Sequence, residues 1–243
     1  MINKYKSMSQ NKLNEELLQA CCNGNLDIVK YLLTSSELKE NADINHKNDI
    51  GANTLILACR NGNLNIVQYL LASPELNEHA DIHHRSKNGS NALMWACEEG
   101  HLDIVKYLLT SQELKEHIDI HHKNNNGENA LMVVCENGCL DIVQYLLTSP
   151  ELREHSDIYH KDNNGWNALV WAYIYKHLDI VQYLAIDMNI DKETIKWLQG
   201  EKIYNTAYED ILKLIEIRDL HYKLDKDVQS NNIDKKKSNG IKI

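Results

Sequence analysis

The chain contains no phenylalanine and only two prolines among its 243 residues. Proline breaks helix interiors because it removes a donor and clashes with the preceding turn, so little in this sequence interrupts helices. Long apolar runs are missing too. No stretch approaches the roughly 18 residues that a membrane-spanning helix needs, and no membrane association is expected. The opening MINKYKSMSQNKLNEELL lacks the apolar centre of a secretory signal. Six cysteines occur without a CxxC pair, which fits neither a zinc site nor a disulfide framework. They read as small buried side chains in a reducing compartment, in the cytoplasm of the chain's own cell or of a host. Basic residues are outnumbered, with 26 Lys and Arg against 35 Asp and Glu and a net charge of −9. That balance argues against a nucleic-acid binder, which needs a coherent basic surface. No phosphate-cradling glycine loop, GxSxG or HExxH motif is present, so neither an enzyme nor a cofactor is expected.

What the chain has in abundance is repetition, the first thing to seek in any sequence. Gly24, Gly62, Gly100 and Gly138 stand 38 residues apart, as do Gly51, Gly89, Gly127 and Gly165. Cys21, Cys59, Cys97 and Cys135 keep the same interval. NLDIVKYLL at 25–33 recurs as NLNIVQYLL, HLDIVKYLL, CLDIVQYLL and HLDIVQYLA, the last at 177–185. In the third copy Leu102, Ile104, Val105, Leu108 and Leu109 follow the spacing of an amphipathic helix. Asp103 stands in its first turn, where the helix dipole favours negative charge.

A second helix precedes each of these. NALMWACEEG (91–100) and NALMVVCENG (129–138) open on asparagines able to accept a hydrogen bond from the free amides of a first turn. They close on glycines, which readily take the left-handed conformation that ends a helix. Helix, tight turn, helix and polar loop cannot bury their apolar stripes alone. Stacked copies can, which predicts an all-α helical solenoid.

GHLDIVKYLL at 100–109 resembles the second helix of ankyrin repeats. NGSNALMWACEEG (88–100) resembles that family's DxxGxTPLHxAAxxG, and HADIHH (79–84) its GADVN hairpin opening. The resemblance covers residues 10–186 in five copies. The period is 38 residues instead of the family's 33, with five extra in segments such as TSQELKE. The family's Thr-Pro-Leu-His becomes Asn53 to Ile56, Asn91 to Met94, Asn129 to Met132 and Asn167 to Val170. Asparagine can still cap these helices, but the histidine's hydrogen bond is lost. Repeats of this length resemble those of giant viruses and intracellular microbes. In SPELNEH (73–79) and SPELREH (149–155) Ser precedes Pro as at a helix start, so an extra helical turn is expected. Asn41, His79, His117 and His155 replace the family's left-handed glycine there, and Asn and His tolerate that region better than most residues.

His79, Asp81, His83 and His84 form a cluster with the look of a metal site. Zinc requires ligands about 2.1 Å from the ion, whereas equivalent residues of stacked repeats stand about 8–10 Å apart. Within one loop, the corresponding positions Asn41/Asp43/Asn45 and His155/Asp157/Tyr159 supply poorer ligands. The cluster therefore reads as hairpin and cap chemistry, and no metal is expected.

The boundaries follow. Residues 1–10 form a flexible N-terminus. Repeats fill 11–187 in copies of about 11–47, 48–85, 86–123, 124–161 and 162–187, and a helical cap occupies 188–224. In the cap, Asp191 opens one helix to about Gln199, and Thr206 with Glu209 forms a capping box for a second to about Leu224. Residues 225–243, Lys235–Lys237 included, read as a disordered, solvated tail.

By resemblance, ankyrin stacks bind proteins with their hairpin tips and the exposed face of the first helix. Those positions hold Asp49, Ile50, Ala52, Arg60 and Asn61, then Lys87, Asn88, Ser90, Glu98 and Glu99. They continue with Asn125, Asn126, Glu128, Glu136 and Asn137, then Asn163, Asn164, Trp166, Ile174 and Tyr175. An acidic strip, Glu98, Glu99, Glu128 and Glu136, thus leads toward Trp166, Ile174 and Tyr175, types that anchor interfaces. The expectation is a monomeric, non-enzymatic scaffold for a partner protein, with Lys87, Asn163 and Asn164 completing the surface. Two alternatives compete: a substrate of ankyrin-directed asparagine hydroxylation at Asn45, and a structural spacer without a tight partner.

Overall fold

In a computed structural model the described residues are 2–114, 118–150, 152, 157–188, 190, 192–196 and 205–238. They divide into two units, Met1–Trp171 and Ala172–Ile243. The first holds helix pairs α1 (Gln10–Asn23) and α2 (Leu26–Thr34), α3 (Thr54–Arg60) and α4 (Leu64–Ala72), and α5 (Ala92–Glu98) and α6 (Leu102–Thr110). It continues with α7 (Ala130–Asn137) and α8 (Leu140–Thr148) and contains most of α9 (Ala168–Ile174). Among the described residues all regular structure is helical.

Within this unit α1, α3, α5 and α7 pack side by side in one row, while α2, α4, α6 and α8 form a second row behind them. The short first helices are buried nearly all round: Leu93, Met94, Ala96 and Cys97 of α5 are at most 1% exposed. The asparagine caps form. Asn53, Asn91, Asn129 and Asn167 accept hydrogen bonds from the amides of Ile56, Met94, Met132 and Val170 at 3.0–3.1 Å. The four apolar residues that replaced the family histidine are themselves buried. In the second helices Ile104, Val105 and Leu108 turn inward as the periodicity requires, and Asp103 accepts from the Ile104 amide at 2.8 Å.

The five extra residues make a hydrogen-bonded turn where an added helical turn was expected. The amides of Leu38, Leu76, Leu114 and Leu152 donate to Ser35, Ser73, Ser111 and Ser149, and all four leucines are buried. The chain then returns to the end of the second helix, with the amides of Ala42, Ala80 and Ile118 bonded to the carbonyls of Leu32, Leu70 and Leu108. Asn41 and His79 are not left-handed, because these bonds set the return path; among the described residues Lys176 is the one non-glycine with positive φ. His117 and His155 lie outside the described residues.

The opening residues differ from a flexible arm. Ile2–Ser7 form a 3-10 helix, and Tyr5 is buried with its ring 5.9 Å from that of Tyr31.

The second unit starts inside α9 and holds α10 (Leu178–Gln182), a π-helical turn (Tyr183–Asp187), α11 (Lys192–Ile195) and α12 (Asn205–Ser238). Arg218 of α12 donates to the carbonyls of Ala185 and Ile190, both at 2.8 Å. Tyr173 donates to Asp210 at 2.8 Å, and burial with that bond pushes its phenol up to about 12. Helix α12 opens one residue before Thr206 and runs past Leu224 to Ser238, through much of the segment read as a tail. Neither Gly nor Pro interrupts residues 205–238, and the charged and long polar residues there are good helix formers. Asp191 and residues 197–204 lie outside the described residues.

Candidate functional site

The loops between helix pairs build the face on which most of the expected site residues stand. Each loop is closed by its own side chains. Asn48 accepts from the amides of Ile50 and Ala52, Asn124 from those of Asn126 and Glu128, and Asp162 from those of Asn164 and Trp166. A tight turn follows, with Gly51, Gly89, Gly127 and Gly165 at φ of 76–84°. Adjacent tips are then tied together. The amides of Lys87, Asn125 and Asn163 donate to the carbonyls of Ile50, Asn88 and Asn126 at 2.9–3.0 Å. The side-chain amides of Asn125 and Asn163 add bonds to the carbonyls of Lys87 and Asn125.

The histidine-rich phrases lie beneath this row. Asp43, Asp81, Asp119 and Asp157 each accept from the amide two residues on, at 2.9–3.1 Å. His84, His122 and His160 place Nε2 2.6–2.7 Å from the carbonyls of Gly51, Gly89 and Gly127 in the preceding loop. His79 bonds to the Ser73 carbonyl. Among the described residues no three His, Cys, Asp or Glu side chains gather as a metal site requires. Sequence reasoning missed the histidine-to-glycine link. Its signal was present: His84, His122 and His160 recur at 38-residue intervals, five residues before each loop glycine. A second link follows the interhelical turn, where Asn63 donates to the Cys21 carbonyl and His101 bonds to the Arg60 carbonyl.

The expected surface residues separate by burial. Lys87, Asn163, Asn164 and Glu99 are exposed, and Glu98 and Glu136 are half-buried. Glu128 is 8% exposed. Its carboxylate accepts from the side chains of Asn124 and Asn126, which removes it from the residues offered to solvent. Ala52 and Ser90 in the same column are also buried, and their small size was the clue. Burial raises the Glu98 carboxyl above its usual range; Glu99 adds to the shift, Arg60 opposes it, and Glu136 and Glu128 push it further. Negative charge is therefore concentrated on this face. Arg60 donates to Glu99 at 3.2 Å, and its guanidinium lies 4.8 Å from the ring centre of Trp95. Trp95 itself is buried and donates to Ser86.

Trp166, in the first unit, is half-buried with its ring 5.1 Å from that of Trp171 in an edge-on arrangement. Ile174 and Tyr175 belong to the second unit, where Ile174 is half-buried and Tyr175 is 47% exposed. Asn45 is half-buried, donating to Glu78 and accepting from the Asp81 amide. Cys59, Cys97 and Cys135 are fully buried, and burial pushes their thiols far up. No helix of the described residues is long and apolar enough to cross a membrane.

A family model described as ankyrin repeats (3 copies) matches residues 17–116 and 110–196. No curated protein matches the chain. Repeats of this family generally mediate protein–protein interactions and are typically not enzymes. The paired helices, the stacked rows and this match, which spans most of the sequence, agree: the chain belongs to the ankyrin repeat family.

Proposed function

We propose that the chain is a non-enzymatic scaffold that binds a partner protein through its loop tips and the face of its first helices. The observation behind this reading is the row of tips. Main-chain bonds join Ile50 to Lys87, Asn88 to Asn125 and Asn126 to Asn163, so exposed side chains from successive repeats are held in fixed register. Such a surface loses little ordering entropy on binding, because its loops are already set. Glu98, Glu99 and Glu136 steer a basic partner by long-range attraction. In the first unit Trp166 serves as an anchor on the loop row that carries Lys87, Asn163 and Asn164, and in the second unit Ile174 and Tyr175 serve as a separate one.

The test is affinity capture from cell lysate, after thermal melts confirm that each variant folds. Trp166→Ala and Tyr175→Ser, made separately, are each expected to weaken a partner held by wild type. Glu98→Gln/Glu99→Gln/Glu136→Gln should weaken the same partner and make its binding less sensitive to salt. A partner retained unchanged by all three variants overturns the assignment of this face. Wild type that captures nothing favours a structural spacer.

A further inference from the structure

We propose that Asn164–Gly165 is a site of spontaneous deamidation, selected from three equivalent Asn-Gly tips because, among the described residues, no neighbouring loop restrains it. Asn88–Gly89, Asn126–Gly127 and Asn164–Gly165 occupy the same place in three successive loops. The chemistry is intramolecular. The Gly165 amide nitrogen attacks Cγ of Asn164, a C–N bond forms, ammonia leaves, and a five-membered imide results. Water then opens the imide to aspartate or isoaspartate. Glycine favours the attack because no Cβ obstructs it and its backbone is permissive.

The attack requires the asparagine side chain and the following peptide to swing toward each other. Three restraints oppose this in the inner loops. The Asn88 and Asn126 carbonyls are held by the amides of Asn125 and Asn163. The Asn88 side chain accepts from the Ser86 hydroxyl and the Ser90 amide, and that of Asn126 donates to Glu128. Beside Gly89 and Gly127 the next loop stands close: a Cβ there would meet the Asn125 and Asn163 amide nitrogens at 2.8 and 3.0 Å.

Asn164–Gly165 has none of these. The repeat phrase fades after Asp187, and among the described residues no next loop bonds to this one. Among the described residues no bond holds the Asn164 carbonyl or its side-chain amide, and nothing stands within 4 Å of a Cβ built on Gly165. The Gly165 amide does donate to the Asp162 carbonyl at 3.0 Å, as Gly89 and Gly127 do in their turns; that restraint is shared and does not discriminate. The Asn-Gly pairs at 23, 61 and 137 are tied at helix ends, with Asn23 accepting from Gln19 and Asn61 and Asn137 donating to the carbonyls of Leu57 and Val133. Asn239–Gly240 lies outside the described residues. Deamidation places a carboxylate two residues from Trp166, and isoaspartate also lengthens the main chain there.

The experiment is incubation of the full chain in mildly alkaline buffer, with peptide mapping by mass spectrometry at intervals. Asn164 is expected to convert several-fold faster than Asn88 and Asn126, and the three rates should converge when the chain is unfolded in urea. Gly165→Ala should abolish the lead of Asn164. Equal rates in the folded chain overturn the proposal. So does a lead of Asn164 that persists undiminished in urea, since the stack would then not be its cause.

Discussion

Nε2 of His122 lies 2.6 Å from the carbonyl oxygen of Gly89, a residue 33 positions earlier in the preceding loop. A carbonyl can only accept, so the ring donates and carries its hydrogen on Nε2. His84 and His160 repeat the arrangement on Gly51 and Gly127. Each repeat thus satisfies a main-chain acceptor of its predecessor, and the histidines of the loop phrases act as fasteners between repeats.

His122→Ala should therefore destabilise the first unit. His122 is 7% exposed, and removing its donor leaves the Gly89 carbonyl unsatisfied at a cost of about 1–3 kcal/mol. Urea unfolding followed by circular dichroism should show a lower midpoint. His122→Gln, which keeps a donor, should lose less. Equal losses in the two variants would mean that packing of the ring, and not the hydrogen bond, holds the loop.

The repeat, its helix pairs and the asparagine caps were all legible in the sequence, because each rests on local chemistry repeated at a fixed interval. Asn91 caps a helix wherever it precedes an apolar run, and Gly89 marks a turn without help from distant residues. The inaccessible features depend on partners far along the chain. Glu128 looked like a surface acid until Asn124 and Asn126 were seen to take its carboxylate. Tyr5 looked like part of a loose end because nothing local announces Tyr31 as its partner. The insert followed a helix-start signature, Ser-Pro, yet its path is set by Leu76 turning into the core and Ala80 bonding back to Leu70.

Glu98 stores repulsion on the proposed binding face. Its carboxyl is raised by burial first and by Glu99 next, so the folded chain holds that proton more tightly than the unfolded chain. The stability linked to the protonated form is present below the unfolded carboxyl pKa and is lost as pH rises through the folded value. At neutral pH Glu98→Gln should consequently raise the melting temperature, and its advantage should shrink on acidification through the carboxyl range. A benefit that stays constant with pH would trace to the side-chain amide and not to relief of charge.

Thiol reactivity should divide the cysteines by burial. Desolvation disfavours the thiolate, the reactive form, and it pushes the buried Cys21, Cys59, Cys97 and Cys135 far above the usual range. Cys22 and Cys139 are raised as well but are only half-buried. Brief alkylation of the native chain, read by peptide mass, should label Cys22 and Cys139 ahead of the other four. Urea should bring all six to comparable rates. Early labelling of Cys97 in the native chain would show that α5 opens far more readily than its packing implies.

Lys176 occupies the interhelical turn that glycine fills in the first four repeats, at φ 65°. The turn is the same turn. Its amide donates to the Tyr173 carbonyl and the next amide, of His177, to Ala172, as Gly100 and His101 donate to Cys97 and Ala96. A side chain in the left-handed region costs about 1 kcal/mol relative to glycine. Glycine also loosens the unfolded chain, which offsets part of that gain. Lys176→Gly should still raise the melting temperature by a degree or more, since about 1 kcal/mol corresponds to roughly 2–4 °C in a chain of this size. Lys176→Ala keeps the Cβ and should gain nothing. If the two variants melt together, the cost of the turn does not lie in its backbone, and the lysine stem contributes packing that glycine forfeits.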